Sequence, residues 1–358
     1  MEALSVKGSF VSSTETHQPV PAPITLDDLA RLGGVSRATA SRAINGQPGV
    51  RADVRERITR LADHLGFRPN RAARQLASGR SNVVGLVLPS DDLRVDPYAA
   101  SLSHAVARSA ARADLGLMLH VVASEPGRTV AHILRDGLLD GLVISSVAIG
   151  HPWVDELLDS SMPAVLIGRH PHRDEFVTVD VENRESSATA VTHLFEQGCR
   201  RVGTITGPMS RVDVRQRLDG YRVAHERAGL TVDPSLVIEG DFQRGSGPGA
   251  AALLIERGVD GIFVGNDEMA IGAMWACTAL SVRVPHDVAI VGFDGTGSGL
   301  DTHGEVALTS VVQPFAALAS TALDLLADQV AGTLHRRRAH HVEIAPDLSI
   351  GASSVRAG

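Results

Sequence analysis

Two arginines on one face of a short helix, and a set of polar groups at the ends of apolar strands, carry most of the chemistry in this sequence. Between Ser36 and Asn45, helical spacing brings Arg37, Ala38, Ser41 and Arg42 together and turns Ala40 and Ala43 to the opposite side. A guanidinium on such a face can read guanine O6 and N7 in a DNA major groove. Ser36, Thr39 and Asn45 are the short polar types that clamp phosphates and set register. Further along, Gly261–Gly265 runs into Asn266-Asp267, and Val288–Phe293 runs into Asp294. Arg217 opens a helical stretch after the Gly207-Pro208 loop, and Phe242 follows Gly240-Asp241. Asp accepts two hydroxyl donors, Asn both donates and accepts, Arg donates in a fork, and an aromatic ring covers the apolar face of a sugar. The four together suit a polyol, although each type more commonly caps a helix or carries a surface charge.

Much other chemistry has no support. Lys7 is the only lysine, which removes a Walker-type phosphate loop, a Schiff-base lysine and a kinase-type lysine together. There is no Gly-x-Ser-x-Gly elbow and no His-Glu-x-x-His pattern. Gly295-Thr296-Gly297-Ser298-Gly299 lacks dinucleotide-loop spacing and reads as a flexible loop. His170 and His172, with His335, His340 and His341, have no matched cysteine or carboxylate framework and read as surface loops. Arg336-Arg337-Arg338 reads as a charge cluster at a helix terminus, and Trp275 as a core or interface ring. The expectation is a chain that is not an enzyme and takes no cofactor or metal. Cys199 and Cys277 are the only cysteines, with no paired motif, which suits a reducing cytoplasm. No apolar run approaches the roughly 20 residues of a membrane-spanning helix.

These groups need elements to position them. Thr25 and Asp28 have capping-box spacing for a helix through Leu32, ended by Gly33-Gly34. Ser36 caps a second helix, stopped by Asn45-Gly46 and Pro48-Gly49. Val54, Ile58, Leu61 and Leu65 form the apolar stripe of a third, from about Ala52. Helix, glycine turn, helix and supporting helix is a helix-turn-helix pattern. Charge agrees with it. Ile24–Arg80 holds eleven arginines against five carboxylates, a surplus of six, so the remainder carries minus thirteen within a net charge of −7. A basic module on an acidic body suggests a polyanionic partner. Pro69–Ala77 is rich in helix formers but too short to be stable without a partner.

Beyond residue 80 the pattern changes. Val83–Leu88, Leu117–Val122, Gly141–Ser145, Ala164–Ile167, Val202–Thr206, Gly261–Val264 and Val288–Phe293 are strand-like runs that alternate with helical stretches such as Tyr98–Ala113. Such βα repetition implies parallel sheets covered by helices. About 270 residues of it fit two doubly wound subdomains better than one, with ligands at the carboxyl ends of strands.

The stretch ITLDDLARLGGVSRATASRAINGQ, followed by FRPNRAARQLASGRSNVVGLVLP, strongly resembles the headpiece and hinge of the lactose/galactose repressor family, and the resemblance runs from Thr25 to about Ser354. It implies a transcriptional regulator, a repressor by that likeness, that binds a pseudo-palindromic DNA operator as a homodimer under control of a small sugar or polyol, with a purine as the other ligand class. It places Arg37, Ala38 and Arg42 at base-reading positions and Thr25, Ser36, Thr39, Ser41 and Asn45 on phosphates. Asn70, Arg71, Arg74 and Leu76 fall on a hinge helix in the minor groove, Leu76 as a wedge between base pairs. Arg217, Phe242, Asn266 and Asp294 match the effector pocket, with Ser90, Asp96, Tyr98 and Arg169 as further candidates. Two departures stand out: Asp96-Pro97 where the family often has Asn-Pro, and Gly168 where it commonly has Asp.

The implied layout is a disordered arm (1–23), an all-α helix-turn-helix domain (24–68), a hinge (69–80), an α/β effector-binding and dimerisation body of two doubly wound subdomains, like periplasmic binding proteins (81–350), and a tail (351–358). Crossovers between subdomains are expected near 180–183, 310–313 and 339–341. Two other classes compete: a solute-binding protein, which the basic headpiece disfavours, and a sugar-processing enzyme, which lacks a nucleophile–base motif.

Overall fold

A computed structural model describes residues 24–68, 80–89, 97–122, 133–134, 137–145, 152–296 and 306–356. Asn70, Arg71, Arg74 and Leu76 of the expected hinge, and Ser90 and Asp96 of the expected pocket, lie outside these residues. The chain divides into two units at Gly79/Arg80.

The first unit holds α1 (Leu26–Leu32), α2 (Arg37–Ile44) and α3 (Ala52–His64). Leu29, Ala43, Ile58 and Ala62 form its buried centre, with Leu26, Val35, Val54 and Leu61 packed around them. The capping box closes as the spacing requires: Asp28 N donates to Thr25 Oγ1 (3.2 Å) and Thr25 N to Asp28 Oδ2 (3.2 Å). Ser36 Oγ likewise accepts from Thr39 N at 3.1 Å at the start of α2. Arg51 at the head of α3 offers no side-chain cap and instead grips Asp53 at 3.1 and 2.8 Å.

The second unit begins with β1 (Val83–Pro89), α4 (Pro97–Arg112), β2 (Gly116–Val122), β3 (Gly141–Ser145), α5 (Pro152–Asp159), β4 (Ala164–Ile167) and β5 (Val177–Val181). It continues through α6 (Asn183–Glu196), β6 (Val202–Thr206), α7 (Val212–Arg227), β7 (Val237–Glu239), α8 (Gly247–Glu256), β8 (Gly261–Val264), α9 (Asp267–Ala279) and β9 (Ala289–Asp294). It closes with β10 (Thr309–Val312), α10 (Phe315–Ala331), β11 (His340–Ile344) and β12 (Asp347–Ser349). Two six-stranded sheets result, ordered β11-β5-β4-β3-β1-β2 and β12-β10-β9-β8-β6-β7. Every pairing is parallel except β10 with β12. Strands β3, β4, β5, β6, β8 and β9 are buried along their whole lengths, which is why β3, β4 and β8 read as near-continuous apolar runs; β5 alternates instead, with Thr178 and Asp180 buried between valines.

The chain passes from the first sheet to the second between β5 and α6, and returns between β10 and α10. The third passage corrects the expectation of 339–341. Helix α10 packs on the first sheet, where Gln329 donates to Ala164 O (3.0 Å) and accepts from Ala164 N (2.9 Å). The strand after it therefore pairs with β5, and the chain crosses only afterwards, at Ala345-Pro346, to reach β12.

The expected tail is also corrected over its described part. Ser353 and Ser354 are fully buried. Ser353 N donates to Ala307 O (2.9 Å), its carbonyl accepts from Ile290 N (2.8 Å), and its Oγ donates to Ile290 O (2.7 Å). Ser354 Oγ lies 2.6 Å from Thr309 Oγ1 and 2.7 Å from His193 Nε2. The segment finishes the second subdomain because the sheet end beside β9 and β10 needs its donors and acceptors.

Candidate functional site

Helix α2 presents Arg37, Ala38 and Arg42 to solvent and buries Ala40 and Ala43. Arg42 Nε donates to Ala38 O at 3.3 Å, and Arg37 Nε stands 3.4 Å from Asp27 Oδ1 in a solvent-exposed pair. Such a pair is worth little and yields readily to another acceptor. Ser36 and Thr39 share a 2.8 Å contact between hydroxyls, and Asn45 Nδ2 donates to Ser41 Oγ at 3.3 Å. The face holds two exposed guanidinium groups over a base of small residues.

In the second unit a cleft opens between the two subdomains. Tyr98, Gly168, Arg169 and Asp180 line it from the first, Arg211, Asp213 and Arg217 from the second, Gln313 from the return passage and Leu318 from α10. The space left is about 20 Å³, room for one or two waters. Arg211 grips Asp213 at 3.0 and 2.9 Å. Arg217 donates through Nε to Asn183 Oδ1 (3.0 Å) and through Nη1 to Gly265 O (2.6 Å), and lies 3.6 Å from Asp294 Oδ1. Its guanidinium carbon sits 3.7 Å from the centre of the Phe293 ring.

Behind these groups the backbone is strained. Phe242 and Asp294 have φ of +68° and +107°, a region bulky residues avoid at a cost of about 1–3 kcal/mol. Asn266 holds the first of them: its Nδ2 donates to Phe242 O (2.9 Å) while its Oδ1 caps α9 through Met269 N (3.0 Å). Phe242 lies against Gly207, where a Cβ would meet its ring at 2.2 Å, and the Arg211 guanidinium stands 5.4 Å from its ring centre.

Burial, with Asp213 nearby, pushes the Asp180 carboxyl up to about 7. Burial works in the same sense on Asp213, but Arg211 and Arg217 outweigh it and hold that carboxyl below its ordinary range. Burial raises the Tyr98 phenol to about 12. Two buried polar atoms in the cleft have no partner, Asp180 Oδ2 and Arg169 Nε. The Arg169 guanidinium is anchored at its other end, Nη2 to Glu343 Oε1 at 2.7 Å.

Comparison with known proteins gives the family of the chain. Residues 25–70 match the model of bacterial regulatory proteins of the lacI family, and residues 191–354 match a periplasmic binding protein-like domain. The HTH-type transcriptional regulator CelR of Thermobifida fusca is 34% identical over 86% of this chain and 92% of its own length. Catabolite control protein A of Priestia megaterium is 31% identical over 85% of this chain and 91% of its own. The chain belongs to the LacI family of bacterial regulatory proteins. It is a DNA-binding transcriptional regulator. Among solved structures, a CelR–cellobiose complex matches with a TM-score of 0.70 and 31% identity, over 92% of this chain and 99% of that one. The lac repressor dimer bound to operator and an anti-inducer matches with a TM-score of 0.76 and 26% identity, over 94% of this chain and all of that one.

In this LacI-family chain, Tyr98, Arg169 and Arg217 line the cleft itself. Phe242, Asn266 and Asp294 stand behind Arg211 and Arg217 as their frame. Gly168 has φ +95°, so the family's Asp would be strained there. Sequence reasoning missed Asp180, Arg211, Asp213 and Gln313. Asp213 was within reach, being four residues before Arg217 on the same helical face, and the two stand 3.8 Å apart. Asp180 and Gln313 fell on the expected crossovers, 180–183 and 310–313, but carried no local signal for the cleft. His170 corrects the surface reading: it is buried, 3.5 Å from Asp155, and burial lowers its pKa. Arg336 does sit at a helix terminus, though that of α5, where it donates to the carbonyls of Leu158 and Met162 at 3.4 and 3.2 Å.

Proposed function

We propose that this regulator binds a two-fold operator as a homodimer through α2, and that a neutral sugar or polyol in the subdomain cleft sets its operator affinity. The cleft carries the reading. Hydrogen-bonding side chains from both subdomains converge there, and a buried acceptor on Asp180 and a buried donor on Arg169 lack partners. A hydroxyl both donates and accepts, so a polyol satisfies such a pair. Each cleft arginine already has a carboxylate beside it: Arg169 with Glu343, Arg211 with Asp213, Arg217 with Asp294. That balance favours a neutral ligand over a phosphorylated one. The sugar-bound CelR structure supports the class.

On the DNA side, Arg37, Ala38 and Arg42 read bases. Thr25, Ser36, Thr39, Ser41 and Asn45 set the phosphate register. Asn70, Arg71, Arg74 and Leu76 enter the minor groove between half-sites. The operator-bound lac repressor dimer supports this arrangement. Effector binding acts by different affinity for two subdomain arrangements. The chain works beside the DNA in the cytoplasm and releases its effector unchanged.

A thermal-shift screen with cellobiose, other sugars, polyols and purines tests the ligand class, followed by operator binding with and without each hit. A sugar or polyol that raises the melting temperature and changes operator affinity is the expected result. A shift by purines alone, or turnover of a bound sugar, overturns the reading.

A further inference from the structure

One buried chain of polar side chains runs from the first passage between subdomains to the second. At the first, Asp180 Oδ1 accepts from Val181 N (2.8 Å) and from Asn183 Nδ2 (3.1 Å), and Asn183 Nδ2 also reaches Val181 O (3.2 Å). Asn183 Oδ1 accepts from Arg217 Nε (3.0 Å). Arg217 Nη1 stands 3.6 Å from Asp294 Oδ1, and that same oxygen accepts from Gln313 Nε2 at 2.6 Å, on the second passage. Gln313 N closes the far end by donating to Asp294 O (3.2 Å). None of the five residues is more than 6% exposed.

We infer that Asn183 and Gln313 are transmission residues: through Arg217 and Asp294 they tie the two passages into one switch, so that a change at the cleft-lining Arg217 moves both. The physical ground is that these groups are almost closed off from solvent, with room beside them for one or two waters at most, so a broken link has few replacements. A buried donor or acceptor that loses its partner must find another, and besides Gln216, Asp213 and Gly265 at its side the groups within reach lie along the same chain. Arg217 can serve both sides because its guanidinium is a rigid fork, with Nε aimed at Asn183 and Nη1 at Gly265 and Asp294. Asn183 opens α6 and Gln313 directly follows β10, so each side chain reports on a backbone segment that must rotate if the subdomains do. The inference rests on the effector reading only for the signal that the chain carries.

Hydrogen–deuterium exchange of the intact protein, without ligand, tests it. The Val181 amide bonds to Asp180 rather than to a neighbouring strand, so a peptide over 177–184 reads the first passage, and one over 309–316 reads the second. Gln313→Met is expected to speed exchange over 177–184 by about 2- to 30-fold, the range of coupling in such networks. Asn183→Ala is expected to do the same over 309–316, which keeps the test alive if one variant does not fold. In an Arg217→Lys background each effect should stay at its own passage, because an ammonium cannot hold both partners. Changes confined to the mutated passage in the otherwise native protein overturn the inference, as does transmission that persists with Arg217→Lys. No arm contains a sugar, so failure of the ligand reading leaves the result untouched.

Discussion

Arg217 and Asp294 meet inside the second subdomain, Nη1 to Oδ1 at 3.6 Å, with each side chain 7% exposed. The distance is that of an ion pair rather than a hydrogen bond. The closest hydrogen bonds of each group go elsewhere, Arg217 to Gly265 and Asn183, Asp294 to Gln313. The pair is thus held by its surroundings more than by itself.

Removing one member leaves the other charged and buried. Arg217→Ala should destabilise the protein by about 3–5 kcal/mol. The double variant with Asp294→Ala should lose less than the sum of the two single changes. Chemical denaturation of the four proteins measures this; strictly additive losses would show that the two charges do not interact.

Asp180 sets a pH dependence opposite to that of an ordinary paired carboxylate. Its folded pKa, about 7, lies above its unpaired value of 3.8. The folded state therefore holds a proton that the unfolded state has released. The contribution is fully present below about pH 4 and is lost as pH rises through 7. Asp180→Asn keeps an oxygen for Val181 N and Asn183 Nδ2 and cannot ionise. Its stability gain should be larger at pH 8 than at pH 5, by roughly 2–4 kcal/mol. Melting curves at the two pH values check the sign, and an equal gain at both would show that Asp180 is ionised throughout.

On the DNA side, Arg42→Ala should flatten base preference at one position per half-site, at about 1–3 kcal/mol. Selection of bound sequences from random DNA, compared with the native protein, reads this directly. If every sequence weakens alike, Arg42 contacts phosphate alone. Arg37, whose partner Asp27 is exposed, is expected to behave as Arg42 does, with no loss of fold stability.

The closing segment gives a test of stability away from both sites. Ser354→Ala removes the hydroxyl between Thr309 and His193 and should cost about 1–3 kcal/mol, the penalty for buried polar groups left short of a partner. Denaturation curves measure it; a cost below the scatter of the method would mean that Thr309 and His193 satisfy one another.

The headpiece was legible residue by residue because its signals are local. The Thr25–Asp28 box, the Ser36 cap and the stripe of α3 all lie within one or two helical turns of what they specify. The two sheets were legible as a class for a similar reason, since most strands buried on both faces are apolar runs; β5, with Thr178 and Asp180 buried in it, escaped that pattern. The strand ends pointed to Arg217, Phe242, Asn266 and Asp294. Their division of labour was hidden: Asn266 spends its amide on Phe242 and Met269, a choice made by a loop 24 residues away.

By itself, the sequence determined a basic helix-turn-helix module, a βα body and the residue types available at its strand ends, because periodicity, capping and turn chemistry act over a few residues. Only the tertiary structure decided that Asp180 and Gln313 share one cleft, that the last crossing follows β11, and that Ser353 and Ser354 are core. Each of those depends on which strands become neighbours, and the energy that selects neighbours comes from burying whole faces at once, which no short stretch of sequence records.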